Sequence, residues 1–178
     1  MVENKTRTGL LLLILVHFEE INGRTRIQKI LYLTDLIGWN VMKDYHFYQY
    51  GPYSQWLKRA LDILVQRKLI EENQEEISDE KIIYKYKITE DGSKYFQTMN
   101  LPPDLVEKTK TFLDKLKKFS TDDLEIMSSL YFIRKSDPEV DTNERLVKFI
   151  KLYKPWYNET KIENNLEVFP LMEPFIKN

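Results

Sequence analysis

The side chains best suited to chemistry are basic and amide groups on one predicted helix. Lys58 and Arg59 are adjacent, and Gln55 lies one turn earlier on the outward side of that helix. A Lys or Arg that reaches a DNA phosphate contributes affinity that depends on salt and not on base sequence. These residues therefore predict a contact with nucleic acid. The alternative is a solvated helix face, because surface helices carry Lys and Arg routinely.

A second basic group extends this candidate site. Tyr53 and Ser54 stand at the start of the same helix, where backbone N–H groups can bind a phosphate. Arg24, Arg26 and Lys29 are predicted to lie off the buried face of the preceding helix, where they can add phosphate contacts. The candidate DNA-binding residues are Arg24, Arg26, Lys29, Tyr53, Ser54, Gln55, Lys58 and Arg59.

The net charge changes sign along the chain. Residues 1–70 contain ten basic and six acidic side chains, a net charge of +4, whereas residues 71–80 contain six acidic side chains and no base. This acidic stretch falls in a predicted hairpin, where it would repel a phosphate backbone. Either the helix binds DNA without the hairpin, or the fold serves protein binding. The acidic residues are Glu71, Glu72, Glu75, Glu76, Asp79 and Glu80.

The sequence contains no recognisable catalytic or metal-binding motif. There is no nucleophile–base pattern, no Gly-rich phosphate loop and no GxSxG. The chain has no Cys, and its two His, His17 and His46, are too far apart in sequence for a metal signature. We therefore expect a non-enzymatic protein with no cofactor and no metal. The longest apolar run, Leu10–Val16, is too short to span a bilayer, so we expect no membrane partner and a cytoplasmic location.

Asp44–Tyr50 is aromatic and alternating, which predicts a short strand. Its rings suit a strand that packs on helices with alternate side chains in the core. The alternative is a stacking platform for single-stranded nucleic acid. The group consists of Tyr45, His46, Phe47, Tyr48, Tyr50 and Tyr53.

Hydrophobic periodicity predicts the elements that must position these residues. A buried helix over Gly9–Glu20 precedes an amphipathic helix over Arg24–Ile37. After the aromatic strand, Gly51-Pro52 turns the chain into the third helix, a hairpin follows over residues 69–88, and a fourth helix ends near Met99. The predicted buried residues of the third helix are Trp56, Leu57, Ala60, Leu61 and Leu64.

The second half of the chain is predicted to be a helical extension. Residues 1–99 form the first domain, residues 100–103 a Pro-containing linker and residues 104–178 the extension. Prolines in the tail predict an extended or broken segment there. Its apolar residues predict either a tail docked on the helices or a dimer surface. They are Trp156, Tyr157, Phe169, Leu171, Met172, Phe175 and Ile176.

This order of elements predicts a mainly α protein with a small antiparallel β-sheet. It is the order of a winged-helix domain whose first strand has moved between the second and third helices, and in that fold the third helix enters the DNA major groove. The segment Tyr86-Lys87-Ile88-Thr89-Glu90-Asp91-Gly92 is similar to the strand that closes the wing in many prokaryotic winged-helix regulators, where Tyr-x-Leu-Thr-x-x-Gly is common.

Longer motifs carry a family resemblance. The helix Gly23–Leu33, the pattern Phe47-x-x-Tyr50-Gly51-Pro52-Tyr53-Ser54 and the later Leu130-Tyr131-Phe132 with Lys154-Pro155-Trp156 resemble the YwgA-like group of uncharacterised prokaryotic proteins. The chain is also similar, more distantly, to the Panacea (SocA/GepA-like) antitoxin domain, which shares the second-helix pattern and the Tyr-Gly-Pro turn. The resemblance implies a winged-helix-like core in a regulatory or toxin–antitoxin setting, and it carries over no catalytic residue.

Two functional hypotheses follow. In the first, the protein is a DNA-binding transcriptional regulator that contacts duplex DNA with its third helix and dimerises through its C-terminal half. In the second, it is an antitoxin-type interaction module that binds a toxin-like protein partner. The contact surface would then be the acidic hairpin or the aromatic strand.

Overall fold

The computed structural model describes residues 2–78, 81–137, 139–140 and 142–176. The protein is mainly helical with a small antiparallel sheet, which confirms the predicted class. The helices are α1 (Val2–Phe18), α2 (Arg24–Thr34), α3 (Gln55–Gln66), α4 (Glu90–Gln97), α5 (Pro103–Leu116), α6 (Thr121–Ser136), α7 (Asn143–Tyr153), α8 (Glu159–Glu167) and α9 (Phe169–Ile176). The strands are β1 (Glu20–Asn22), β2 (Tyr45–Tyr48), β3 (Gly51–Ser54), β4 (Ile70–Ser78) and β5 (Lys81–Ile88), and a π-helical turn, Asp35–Trp39, follows α2.

Helix α1 lies at the centre of the first half of the chain. Each residue from Leu10 to Leu15 is at most 1% exposed, which confirms the predicted buried helix. Burial on every side requires neighbours all round, and α2, α4, α5 and strands β1 and β5 supply them. The helix starts at Val2, earlier than the predicted Gly9. Among the described helices, α1 included, none is both long enough and apolar enough for a bilayer crossing.

Strands β1, β5 and β4 form one antiparallel sheet in that order. The pairing of Ile70 with Ile88 and of Glu72 with Tyr86 confirms the predicted hairpin. Strand β1 is absent from the sequence prediction, which places its residues at a helix end. It has three residues and buries just one of them, Ile21, opposite Tyr86, so its sequence shows no detectable alternation.

Strands β2 and β3 form a second, separate sheet. The predicted aromatic strand is confirmed as β2, but its predicted place as the displaced first strand of the wing sheet is wrong, because β1 pairs with β5 there. Gly51-Pro52 does not lead directly into the third helix either. Gly51–Ser54 is a strand, with Gly51 at a φ of 84°, and α3 begins at Gln55.

The C-terminal helices pack directly on the first half of the chain. Leu113 and Leu116 of α5 and Met127 of α6 belong to the same hydrophobic cluster as the α1 and α2 side chains. A second cluster joins α6, α7 and α8, with Leu130 and Ile150 among its fully buried members. Helix α6 contributes to both clusters and therefore links them. The division into residues 1–99 and 104–178 stays a prediction.

The tail contradicts the prediction of an extended or broken segment, because α8 and α9 are helices. Pro170 is compatible with α9 since it lies in the first turn, where a missing N–H removes no intrahelical bond. Phe169 and Met172 are buried and Trp156 is half exposed, so the tail docks on the helices. The side chain of Leu171 lies outside the described residues.

Candidate nucleic-acid interface

Five of the eight predicted DNA-binding residues line one surface groove. This hairpin groove lies between α2, the β2–β3 hairpin and α3, and its volume is about 500 Å³. Its lining contains three cations and three tyrosines, and no carboxylate from the described chain. The lining residues are Arg24, Thr25, Gln28, Lys29, Tyr48, Gln49, Tyr50, Gly51, Tyr53, Gln55 and Lys58.

Arg24 enters the groove already paired. Its Nη2 donates to Glu72 Oε2 at 2.8 Å, its Nε donates to the Tyr86 hydroxyl, and its guanidinium carbon lies 4.3 Å from the centroid of the Tyr84 ring. Desolvation would raise the pKa of Glu72, but the hydrogen bonds from Tyr86 and Arg24 outweigh it and hold that pKa below its usual range. Glu72 therefore compensates the Arg24 charge and fixes the position of the guanidinium.

The expectation that Lys29 lies off the buried face is wrong. Lys29 is 1% exposed, and its Nζ donates to the Pro52 carbonyl at 2.7 Å. Lys154, which is fully buried, donates to Gln49 O at 2.8 Å and to Glu125 Oε1 at 2.7 Å. These two ammonium groups hold both sides of the β2–β3 turn. We call Lys29, Lys154 and Glu125 the lysine–glutamate cluster.

Burial dominates the electrostatics of this cluster. It lowers the pKa of Lys29 to about 7, against the attraction of Glu125 and with the repulsion of Lys154. Burial also lowers the pKa of Lys154, although the hydrogen bond and charge of Glu125 oppose the shift. An ammonium group removed from water loses hydration that a single carboxylate restores in part. Lys29 and Lys154 therefore bind protons more weakly than an exposed lysine does.

The start of α3 is not open to a phosphate, contrary to the expectation for Ser54. Ser54 is fully buried, and its Oγ accepts a hydrogen bond from the Leu57 N–H as the helix cap. Its own hydroxyl donates to Asp44 Oδ2 at 2.8 Å, and the Trp56 N–H donates to the same oxygen at 3.1 Å. The Asp44 carboxylate thus occupies the position at the start of α3 where a phosphate was expected to bind. Gln28 fixes the turn further by pairing its side-chain amide with both backbone groups of Ser54.

Lys58 and Arg59 face two different grooves on either side of α3. Successive helical residues are about 100° apart, so neighbours in sequence reach opposite flanks of the exposed face. Lys58 lines the hairpin groove, whereas Arg59 lines a second groove of about 420 Å³, which we call the α4 groove. Its lining residues are Lys5, Thr8, Trp56, Arg59, Ala60, Ile63, Leu64, Arg67, Tyr95 and Met99. Helix α3 is therefore a ridge between two cation-lined grooves. The predicted buried residues Leu57, Leu61 and Leu64 form its inner side, with Trp56 and Ala60 partly buried.

Arg26 lies apart from both grooves. Its Nη1 lies 3.5 Å from Thr121 Oγ1 at the start of α6, and the side chain is partly buried. Arg26 therefore contacts the C-terminal helices rather than the α3 ridge, and it does not join the other candidate DNA-binding residues in either groove.

The acidic hairpin is partly neutralised by its own sheet. Besides Glu72, which binds Arg24, Glu75 pairs with Lys85 Nζ at 2.5 Å. Glu71 and Glu76 are exposed. The predicted acidic residues Asp79 and Glu80 lie outside the described residues.

The aromatic strand divides its rings between two faces. Phe47 packs against Phe132, Phe149 and Tyr153, with ring centroids 5.5 to 6.5 Å apart, in agreement with the core interpretation. On the other face, Tyr48 and Tyr53 meet edge to face at 5.4 Å beside the hairpin groove.

Sequence reasoning missed Glu125 and Lys154. Glu125 lies in a helix that is buried from Leu124 to Leu130, so no amphipathic pattern marks it. The one available signal is the Lys154-Pro155-Trp156 segment, which the family resemblance includes. In the described ranges, no three His, Asp or Glu side chains come together as a metal site.

The fold and site define a mainly helical protein with a small antiparallel sheet and cation-lined grooves. No protein-family profile matches the sequence. The uncharacterized protein YwgA of Bacillus subtilis (strain 168) is 31% identical over 122 residues, which make up 67% of this chain and 70% of YwgA. The chain therefore belongs to the YwgA-like family of uncharacterised proteins. The likeness to the Panacea domain stays a prediction.

Proposed function

We propose that this protein is a non-enzymatic, winged-helix transcriptional regulator that binds duplex DNA through α3. The observation that carries the proposal is the α3 ridge, which has Lys58 on one flank, Arg59 on the other and a cation-lined groove beyond each. The order α1, β1, α2, α3, β4, β5 with the sheet order β1–β5–β4 supports a winged helix with the β2–β3 hairpin inserted before its third helix.

The ridge has the right dimensions for a major groove. An α-helix with its side chains is about 10–12 Å wide, and the B-DNA major groove is about 12 Å wide. With α3 in the groove, Lys58 and Arg59 point toward the two phosphate backbones that border it. Gln55, which is exposed at the first turn of α3, faces the base edges. Dimerisation through the C-terminal half would double this contact.

The acidic hairpin does not take part in this binding. Glu71 and Glu76 are exposed on β4, so insertion of the hairpin into a minor groove would place carboxylates against phosphates. The proposed complex therefore uses the helix alone.

The double variant Lys58→Ala/Arg59→Ala tests the proposal. Loss of two phosphate contacts should reduce the slope of log K against log[salt] by about 2 and weaken binding about 60-fold at 0.1 M salt. Fluorescence anisotropy with a labelled random-sequence duplex of 30 base pairs, titrated between 50 and 200 mM salt, measures both quantities.

The matched control is Lys110→Ala/Lys118→Ala, which removes the same charge from exposed positions on and after α5. It should leave the salt slope unchanged. Equal slopes for the wild type and the Lys58/Arg59 variant would exclude α3 as the DNA-binding element.

A second candidate function is an antitoxin-type interaction module. It is favoured by β4, which pairs with β5 alone among the described strands and exposes Glu71 and Glu76 along its acidic length. An unpaired strand edge can accept an extended partner, and this charge favours a basic one.

Charge reversal separates this candidate from DNA binding. Glu71→Lys/Glu75→Lys/Glu76→Lys leaves the Arg24–Glu72 pair intact and should abolish co-purification of a stoichiometric basic protein with the tagged chain at physiological salt. The control Glu159→Lys/Glu163→Lys/Glu167→Lys, on exposed positions of α8, should retain that partner. Retention by the β4 variant, or duplex binding by the wild type at that salt, would count against the interaction module.

A further inference from the structure

We propose that the hairpin groove binds a small nucleotide, with its phosphate at Lys29 and Lys58 and its base against Tyr48 and Tyr50. This binding does not require DNA, although it shares Lys58 with the proposed DNA interface, and it adds an effector site to the protein. The chemical class follows from the groove itself, which combines cations with aromatic rings and contains no carboxylate from the described residues.

The floor of the groove lacks a negative charge. When Lys29 and Lys154 are both ionised, Glu125 compensates one of them, and Lys154 holds it directly at 2.7 Å. The Lys29 ammonium has three N–H donors, and among the described atoms it makes one hydrogen bond, to Pro52 O. A buried cation in this state is best satisfied by an anion, and a phosphate oxygen can accept its remaining donors.

The walls of the groove supply one further positive charge, on Lys58, and additional N–H donors from Arg24. Lys58 is exposed and makes no ion pair with the described residues. Glu72 compensates the Arg24 charge, but with Tyr86 it also holds the guanidinium in position, so the remaining N–H donors of Arg24 reach the groove without the entropy cost of ordering a free side chain. Together with Lys29, these side chains suit a phosphate better than a neutral ligand.

The rings define the second half of the ligand. Tyr48 is 58% exposed and Tyr50 is 53% exposed, a large aromatic area to leave in water. A planar base can cover these rings, and base–aromatic stacking tolerates many base identities. The groove, at about 500 Å³, has the size of sites that enclose small molecules and is too small to enclose a duplex.

Isothermal titration of the full chain with AMP, GMP, CMP and UMP tests the proposal, with adenosine and inorganic phosphate titrated alongside. At least one mononucleotide should bind with one site per chain. Inorganic phosphate and adenosine should each bind at least about tenfold more weakly, because each lacks half of the contacts. Absence of binding by all four mononucleotides up to 1 mM, or equal affinity for inorganic phosphate, would overturn the proposal.

Exposed positions give variants that should fold, whereas replacement of Lys29 risks the core. Lys58→Ala and Tyr50→Ala should each weaken mononucleotide binding about tenfold. Tyr95→Ala is the matched control, because Tyr95 is 36% exposed and lies in the α4 groove, outside the hairpin groove. Unchanged affinity in both groove variants would place the nucleotide elsewhere and overturn the assignment.

Arg59→Ala distinguishes this site from the proposed DNA interface. Arg59 lines the α4 groove, so its removal should reduce the salt slope of duplex binding by about 1 and leave mononucleotide affinity at the wild-type value. If the protein bound a mononucleotide but no duplex, the nucleotide site would stand and the proposed DNA-binding function would be contradicted. If it bound a duplex but no mononucleotide, the DNA-binding function would stand and the nucleotide site would be contradicted. A loss of mononucleotide affinity in Arg59→Ala would contradict the hairpin groove as the site.

Discussion

Replacement of Glu125 by Gln is expected to lower the free energy of unfolding by about 3–5 kcal/mol at pH 7. Glu125 is 4% exposed and is the carboxylate that Lys154 contacts at 2.7 Å, with Lys29 within its electrostatic reach. Gln keeps the size of the side chain but removes the negative charge. Two buried ammonium groups then remain without a counter-charge, and each must lose a proton or stay ionised at high cost.

Urea unfolding followed by circular dichroism measures the loss. The matched control is Glu107→Gln, because Glu107 is exposed and also pairs with a lysine, Lys110, at 2.6 Å. An exposed pair contributes about 0–1 kcal/mol, so the control should be close to the wild type. A loss below 1 kcal/mol in Glu125→Gln would show that the cluster does not need its carboxylate.

The pH dependence provides an independent signature. A lysine whose pKa is lowered by folding binds fewer protons in the folded state than in the unfolded state between the two pKa values. Stability therefore rises with pH across that interval, which for Lys29 extends from about 7 to 10.5. Without Glu125 the lysine pKa values fall further, so the deficit of Glu125→Gln should be smaller at pH 9 than at pH 7. An equal deficit at both pH values would contradict this account.

Local patterns predict the regular elements well. The α1 run and the spacing of Leu57, Leu61 and Leu64 each report burial through the period of a helix, and the structure confirms both. Strands β1 and β3 were not predicted because they have only three and four residues, too few to show a pattern. Strand β1 is stabilised by pairing with β5, far along the chain, and β3 by pairing with β2 across a tight turn. Helix α9 was not predicted because it contains two prolines, Pro170 in its first turn and Pro174 inside it, and a proline inside a segment argues against a helix.

The residues of the candidate site likewise fall into those that the sequence pattern could predict and those that it could not. Gln55 and Lys58 were predictable because their exposure depends on the face of a single helix. Lys29 was not, because its burial depends on Pro52 O and on Glu125, which is 96 positions away in the sequence. The charge of the acidic hairpin was readable from composition. That Glu72, rather than its neighbours, neutralises Arg24 follows from strand register, which places Glu72 opposite Tyr86.

Replacement of Gly92 by Ala is expected to lower the free energy of unfolding by about 3 kcal/mol. Gly92 ends the Thr-x-x-Gly motif, and its N–H donates to the Thr89 side chain, which caps α4. A Cβ at this position would lie 2.0 Å from the Leu69 carbonyl oxygen and 2.7 Å from Ile88 Cδ1. Leu69 O is a backbone atom that also accepts the Thr89 N–H at 3.1 Å, so it cannot move without breaking the junction of β4 and α4.

Gly9→Ala is the matched control, since Gly9 is also a helical glycine close to another residue. Its added Cβ would lie 2.8 Å from Leu101 Cδ2, a side-chain methyl group that can rotate away. Ala gains about 0.5–1 kcal/mol over Gly inside a helix, so Gly9→Ala should be neutral or stabilising. Chemical denaturation of both variants isolates the backbone collision at Gly92. If Gly92→Ala were as stable as Gly9→Ala, close approach to Leu69 would not be the reason for glycine in this motif.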